Sequence, residues 1–189
     1  MLFQNIQIAI RVLALMTLIC GGVYPLIVTG IAQVAFAGKA NGSVVHNAKG
    51  EAVGSALVAQ KFRDARYFWP RPSAGDYATV ASGASNKGPT SADLKKSFDE
   101  RMSALKETAA GEKIPADLLF ASGSGLDPHI SKDAARLQVT RIAKARKFDG
   151  AKTASLYALI ERMTEPATWG LFGEPRVNVL LTNLELDRM

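Results

Sequence analysis

Residues 12–38 contain no charged side chain, and this run limits what the chain can fold into more than any other feature. Its polar side chains are Thr17, Tyr24, Thr29 and Gln33. A helix over the run, rising about 1.5 Å per residue, reaches roughly 40 Å, more than the ~30 Å hydrocarbon core of a bilayer. In lipid every backbone N–H and C=O must be bonded within the segment, so a helix is the expected form. A cleaved secretory leader is the competing reading, because Arg11 supplies a basic start and Ala35-Phe36-Ala37 fits a small-x-small cleavage pattern. The apolar stretch is about twice the ~7–15 residues of such a leader's core, which favours a retained anchor.

The expected organisation is therefore an N-terminal transmembrane anchor, residues 1–38, and a soluble domain, residues 39–189. Arg11 and the amino terminus on one flank nearly balance Lys39 and Lys49 on the other. The signal-like layout then places the N-terminus in the cytoplasm and the domain on the extracytoplasmic (periplasmic) side. Within the anchor, Gly22, Pro25, Thr29 and Gln33 fall within roughly 80° of one another at helical spacing. Small and polar residues on one stripe permit close approach and hydrogen bonding to another helix in lipid.

The remaining part, about 150 residues, can bury a core without disulfides. Cys20 is the sole cysteine and lies in the apolar run, so no intrachain disulfide framework exists. The formal charge of +6 admits anionic lipid or an acidic protein surface. Nucleic acid is set aside, since there is no dense Lys/Arg block and no recognisable binding module.

Short β-like runs cover residues 43–46 and 56–62, and residues 63–90 are rich in Gly, Ser, Pro and aromatics without a helical period. Thr90-Ser91-Ala92-Asp93 is a capping-box pattern opening a helix to about Thr108, with Leu94, Phe98, Met102 and Leu105 on its apolar face. Residues 117–121 read as a buried strand entering a Gly-Ser turn. Helices follow over about 131–147 and 153–164, and residues 176–186 read as a last strand. Strands alternating with helices predict a small mixed α/β domain.

Residues 83–90 nearly match a phosphate-binding P-loop, but Pro89 stands where the lysine must be and Lys87 comes too early. A Gly/Ser turn into a capped helix is the simpler reading. Residues 121–131 carry Ser122, Ser124, Asp127 and His129, which suggest an anchored hydrolase using a Ser/His site. Triad members come from separated parts of a chain held by a rigid scaffold, so a local role for Asp127 and Ser131 as caps is favoured. His46 and His129 lack metal-ligand spacing. Lys132, Arg136, Arg141, Lys144, Arg146 and Lys147 oppose one acid, Asp133, on the second helix. They read as a solvated face, or else as a surface for an acidic partner or lipid headgroups.

Taken together, several motifs resemble one family. They are Gly21-Gly22-Val23-Tyr24-Pro25, Gln60 and Phe62, Arg66-Tyr67-Phe68, Arg71-Pro72-Ser73-Ala74, Ser82-Gly83, Ser85-Asn86, Gly88-Pro89, residues 121–131, and Gly173-Glu174-Pro175-Arg176-Val177-Asn178-Val179-Leu180. In order and spacing they resemble the KdpC family, the C subunit of the Kdp potassium-transporting P-type ATPase. Ala59 and Ala84 stand where the family often has glycine. The resemblance implies an accessory, non-catalytic subunit of a four-part inner-membrane complex. Its partners would be a potassium-translocating subunit, an ATP-hydrolysing subunit and a small membrane subunit. It implies no tightly bound cofactor, with ATP and K⁺ handled by the complex. The subunit's role would be a catalytic chaperone of the ATPase or an extracytoplasmic cap over the potassium entrance. Candidate motif or contact residues are Gly22, Pro25, Thr29, Gln33, Arg71, Ser85, Asn86, Ser124, Asp127, His129 and Asn178.

Overall fold

The structure is a computed structural model describing residues 1–47 and 49–189, and it divides into two compact units, Met1–Val44 and Val45–Met189. In the first, α1 (Leu2–Leu18), a π turn (Ile19–Val23) and α2 (Tyr24–Ala35) run on as one helix, Leu2–Ala35. Its 34 residues are long and apolar enough to cross a membrane. The helix starts before the uncharged run and stops at Phe36, whose φ of −139° leaves the helical region before the short α3 (Ala37–Ala40).

The π turn has a local cause. Pro25 has no N–H to offer the carbonyl of Gly21, and its ring crowds that carbonyl. The backbone widens by one residue, so the Tyr24 N–H bonds the Ile19 carbonyl five positions back. The glycines at positions 21 and 22 lie within the widened segment.

β1 (Val44–His46), which begins at the last residue of the first unit, pairs with β2 (Ala52–Ser55). Residues 56–91 then contain no helix or strand among the described residues. The strand expected over 56–62 is absent because its polar groups are taken elsewhere: Ala59 N–H donates to the Leu126 carbonyl and the Ala56 carbonyl accepts from Asn178. α4 (Ala92–Ala109) begins one residue later than expected. Ser91, rather than Thr90, caps it by accepting from Leu94 N–H, and Ala110 ends it in the left-handed region. Leu105 is buried, with Phe98 and Met102 packed against the core.

The buried strand expected at 117–121 is instead one helical turn, α5 (Ala116–Leu119), entered from Pro115. Both Leu118 and Leu119 are buried, which a strand with one core face could not achieve. The second helix is divided at Gln138 into α6 (Lys132–Leu137) and α7 (Val139–Arg146). α8 (Gly150–Met163) starts at an Asp149 cap three residues earlier than expected. The last strand survives only as β5 (Arg176–Asn178), after which the Asn178 side chain accepts from Leu181 N–H and starts α9 (Val179–Leu186).

β5 is the centre of an antiparallel sheet, with β3 (His129–Ser131) on one side and β4 (Thr164–Glu165) on the other. α8 packs against α6, α7, α9 and β5. Its Leu156, Leu159 and Ile160 meet Phe68, Ile130, Ile142, Val177 and Leu186 in one buried cluster.

Phe68 enters this core from the irregular loop, and two buried amides fix it there. Asn183 Oδ1 accepts from Phe68 N–H at 2.8 Å while its Nδ2 donates to the Phe68 carbonyl at 3.0 Å. Gln138 treats Trp69 the same way, at 2.7 and 3.2 Å. Arg141, expected on a solvated face, turns inward. It donates to the carbonyls of Ala65 and Tyr67 and to Gln138 Oε1, and stacks 3.7 Å from the Trp69 ring centroid. Burial draws its pKa down to about 10, although the carboxylate of Asp64 opposes this, so it stays charged at neutral pH. Arg146 likewise donates to the carbonyls of Arg66 and Leu186 and to Asp187.

Replacing Gln138 with Leu strips both bonds from the Trp69 peptide groups and leaves them unsatisfied at the core. An unsatisfied buried polar group costs about 1–3 kcal/mol. The unfolding free energy from denaturant titration of the detergent-solubilised chain should fall accordingly, whereas Lys144→Leu on the outer side of α7 should leave it within about 0.5 kcal/mol.

Candidate functional site

The turn at residues 122–127 is held from three directions. Ser122 N–H donates to the Pro72 carbonyl at 3.2 Å, Ser82 Oγ to the Ser124 carbonyl at 2.8 Å, and Ala59 N–H to the Leu126 carbonyl at 2.9 Å. Gly125 has φ +69°, and a Cβ there would lie 2.9 Å from the Gly83 carbonyl oxygen and 3.2 Å from Ser73 Oγ. Any side chain at that position would push the two loops apart. Ser73 Oγ also accepts from Tyr77 N–H, and the Tyr77 hydroxyl donates to the Arg71 carbonyl. Burial pushes the Tyr77 phenol up to about 12, keeping it a donor.

From this turn a chain of charges crosses the end of the sheet. Arg71 Nη1 donates to Asp127 Oδ2 at 3.0 Å, and Asp127 Oδ1 accepts from His129 N–H at 3.0 Å. The His129 ring sits between two carboxylates, with Nδ1 3.6 Å from Asp127 and Nε2 3.9 Å from Glu165. Glu165 on β4 is in turn bound by Arg176 on β5, at 3.1 Å from Nε and 3.0 Å from Nη2. Partial burial raises the Asp127 pKa, but its bonds to His129 and Arg71 outweigh this and hold the carboxyl below its ordinary value.

Arg71, Asp127, His129 and Arg176 line a cleft of ≈ 550 Å³ together with Asp117 and Glu174. Asp117 accepts from Ser131 N–H at 2.6 Å and from its hydroxyl at 3.2 Å, while Ser131 Oγ caps α6 by accepting from Ala134 N–H. The capping role read for Ser131 thus matches the geometry, whereas Asp127 precedes a strand and closes a local turn on His129 N–H instead of capping a helix.

Of the other candidates, Ser124 Oγ accepts from Leu126 N–H at 3.1 Å. The His129 nitrogens lie nearest the carboxylates of Asp127 and Glu165, and among the described residues no hydrogen bond joins His129 to a serine. Asn178 joins three segments: Nδ2 donates to the Ala56 carbonyl, Oδ1 caps α9, and the adjacent Val179 N–H donates to the Pro128 carbonyl. Ser85 lies in a different cleft with Lys87, Asp93 and Arg101. Asn86 holds the left-handed conformation at φ +51°, and Lys87 pairs with Asp93 rather than pointing into the loop. In the first unit, Gln33 exchanges amide bonds with Asn41 at 3.3 and 3.4 Å. A Cβ at Gly22 would meet only Leu18 Cδ1, at 4.0 Å. Among the described residues no group of three His, Cys, Asp or Glu side chains is placed to share a metal ion.

Glu165 was missed in the sequence, because two residues of strand far from any motif give no signal. Only its register opposite Arg176 reveals it.

Residues 6–188 match the family model described as KdpC: K⁺-transporting ATPase, c chain. The chain is 48% identical over 189 residues to the potassium-transporting ATPase KdpC subunit of Geobacter metallireducens, covering 98% of both chains. Identity is also 48% to the subunit of that name from Leptospira interrogans, over 99% of this chain and 96% of the relative. The Rhodospirillum rubrum subunit is again 48% identical, over 98% and 96%.

The chain belongs to the KdpC family.

The KdpC match includes both the apolar helix and the domain, so the motifs gathered around residues 122–129 lie inside a family-wide sequence rather than a local likeness. Within this KdpC-family chain the cleft is lined by charged side chains, Arg71, Asp117, Asp127, Glu174 and Arg176 among them. Converting Asp127 to Asn leaves Arg71 and His129 without their shared carboxylate and should destabilise the domain by about 1–3 kcal/mol near neutrality. A carboxyl with a depressed folded pKa stabilises above its ordinary range, and that contribution is lost as pH falls through the folded value. The variant should therefore lose less stability than wild type between pH 5 and pH 3, in denaturant titrations at each pH.

Proposed function

We propose that this chain is the single-span accessory subunit of an ATP-driven potassium-transporting complex. It docks with a potassium-translocating subunit, an ATP-hydrolysing subunit and a small membrane subunit of the inner membrane. The match over residues 6–188 carries this reading, since it takes in anchor and domain together. The relatives' name, potassium-transporting ATPase KdpC subunit, supports the transport assignment. A non-catalytic role is supported by the use of Asp127, His129, Ser124 and Asn178 in joining backbone segments and ion pairs.

The domain belongs on the extracytoplasmic side in this reading, as the signal-like start favours where the flanking charges nearly balance. It then serves as an assembly piece or cap near the potassium entrance. ATP on the cytoplasmic face is out of its reach, and any effect on hydrolysis passes through membrane helices.

Two experiments test the proposal. Gly22 has open space around it within the chain, so leucine fits there without internal conflict. Gly22→Leu should reduce co-purification of the other complex subunits from detergent, while Ile27→Leu should not, with membrane insertion checked separately. No co-purification by wild type would remove the complex itself. Equal recovery by both variants would mean that the helix stripe does not dock.

For topology, Cys20→Ala provides a cysteine-free chain. Lys49→Cys in that background should react with a membrane-impermeant maleimide in intact cells. Labelling confined to lysed cells would put the domain in the cytoplasm.

A further inference from the structure

Between β4 and β5 the chain projects a tight apolar turn that no part of the site uses. Thr168 and Phe172 exchange backbone bonds at 2.8 and 3.0 Å, Gly170 N–H donates to the Ala167 carbonyl at 2.9 Å, and Leu171 N–H to the Thr168 carbonyl at 3.2 Å. Trp169 is 86% exposed, Leu171 81% and Phe172 61%. The indole and the Phe172 ring meet edge to face with centroids 6.1 Å apart, so the tip is one apolar surface. Residues 166–173 carry no charge. Glu165 at the base is neutralised by Arg176.

Large apolar side chains grouped on a surface mark a protein or membrane contact. Three features favour lipid. The backbone donors of Thr168, Gly170, Leu171 and Phe172 are bonded inside the turn, which lowers the cost of moving it out of bulk water. Tryptophan is the side chain that settles at the headgroup boundary, with its ring in the apolar layer and its N–H towards water. The same chain also carries a bilayer-spanning helix. α3 ends at Ala40 and the second unit begins at Val45, so the intervening backbone extends at most about 18 Å. A tether that short keeps a bilayer at an effective concentration on the order of millimolar for those surfaces of the domain that it can turn towards the membrane.

We infer that the Trp169-Gly170-Leu171-Phe172 turn is a lipid-dipping tip that inserts into the interfacial layer of the bilayer carrying the chain's own helix. Zwitterionic lipid suffices, because the tip has no basic residue to select anionic headgroups. The inference rests on the spanning helix and not on the complex proposed above.

The test uses the full-length chain, without other subunits, in phosphatidylcholine vesicles with or without bromine on the upper acyl-chain carbons. The chain has two tryptophans, Trp69 and Trp169, so the Trp169 emission is the difference between wild type and Trp169→Phe. That difference should be blue-shifted and quenched by brominated lipid, and Leu171→Asp should abolish the quenching while the Trp69 emission stays unchanged. Trp169 emission at the wavelength of a water-exposed indole, without quenching, overturns the inference. Equal quenching of wild type and Leu171→Asp also overturns it, since the tether alone would then account for proximity. If Trp169 becomes shielded only when another protein subunit is added, the patch belongs to a protein partner and the lipid assignment fails.

Discussion

The hold of Gln138 and Asn183 on the peptide groups of Phe68 and Trp69 organises the irregular half of the domain. Residues 56–91 form no helix or strand, so their backbone groups lack the repetitive partners that secondary structure provides. The two amides act as a substitute strand edge, each accepting from an N–H and donating to a carbonyl. Both side chains are buried to 2% exposure or less, where an unmet polar group is expensive and slippage by one residue would break all four bonds. Arg141 adds rigidity, with its fork on Ala65 and Tyr67 and its face on Trp69.

That fixed register carries Arg71, Pro72 and Ser73 to the turn at 122–127, where Gly125 permits backbone contact. Two ion pairs, Arg71–Asp127 and Arg176–Glu165, follow, with the His129 ring between their carboxylates. Partly exposed pairs contribute modestly one at a time. Their larger effect is positional, because β3, β4 and β5 are two or three residues long and have few ladder bonds to define their ends. A side-chain chain across three such short strands fixes what the backbone alone leaves loose.

In the first unit one proline sets a different kind of detail. Pro25 removes a helical bond that lipid could not replace, and the one-residue widening at Ile19–Val23 recovers a partner for Tyr24 N–H. The small and polar stripe of Gly22, Pro25, Thr29 and Gln33 therefore includes a local change of helical phase. Gln33 and Asn41 also satisfy part of each other's hydrogen bonding within the chain.

The sequence by itself determined the long apolar N-terminal helix, the capped helix beginning near Ser91 and the cap at Ser131. Each follows from composition or from spacing within a few residues, which local physics governs. It misassigned residues 117–121 and the second half of 176–186 as strand. A short apolar run fits either period, and the decision fell to Pro115 and to the Asn178 cap. It read Arg141 and Arg146 as solvated, because a charge pattern on a helix does not reveal the carbonyls of a loop some 70 to 80 residues away in sequence. Glu165 was illegible for the same reason. The joining of Arg71, Asp127, His129, Glu165 and Arg176 into one site was decided only by tertiary structure, since it depends on sheet register and on two buried amides whose partners lie 69 and 115 residues distant.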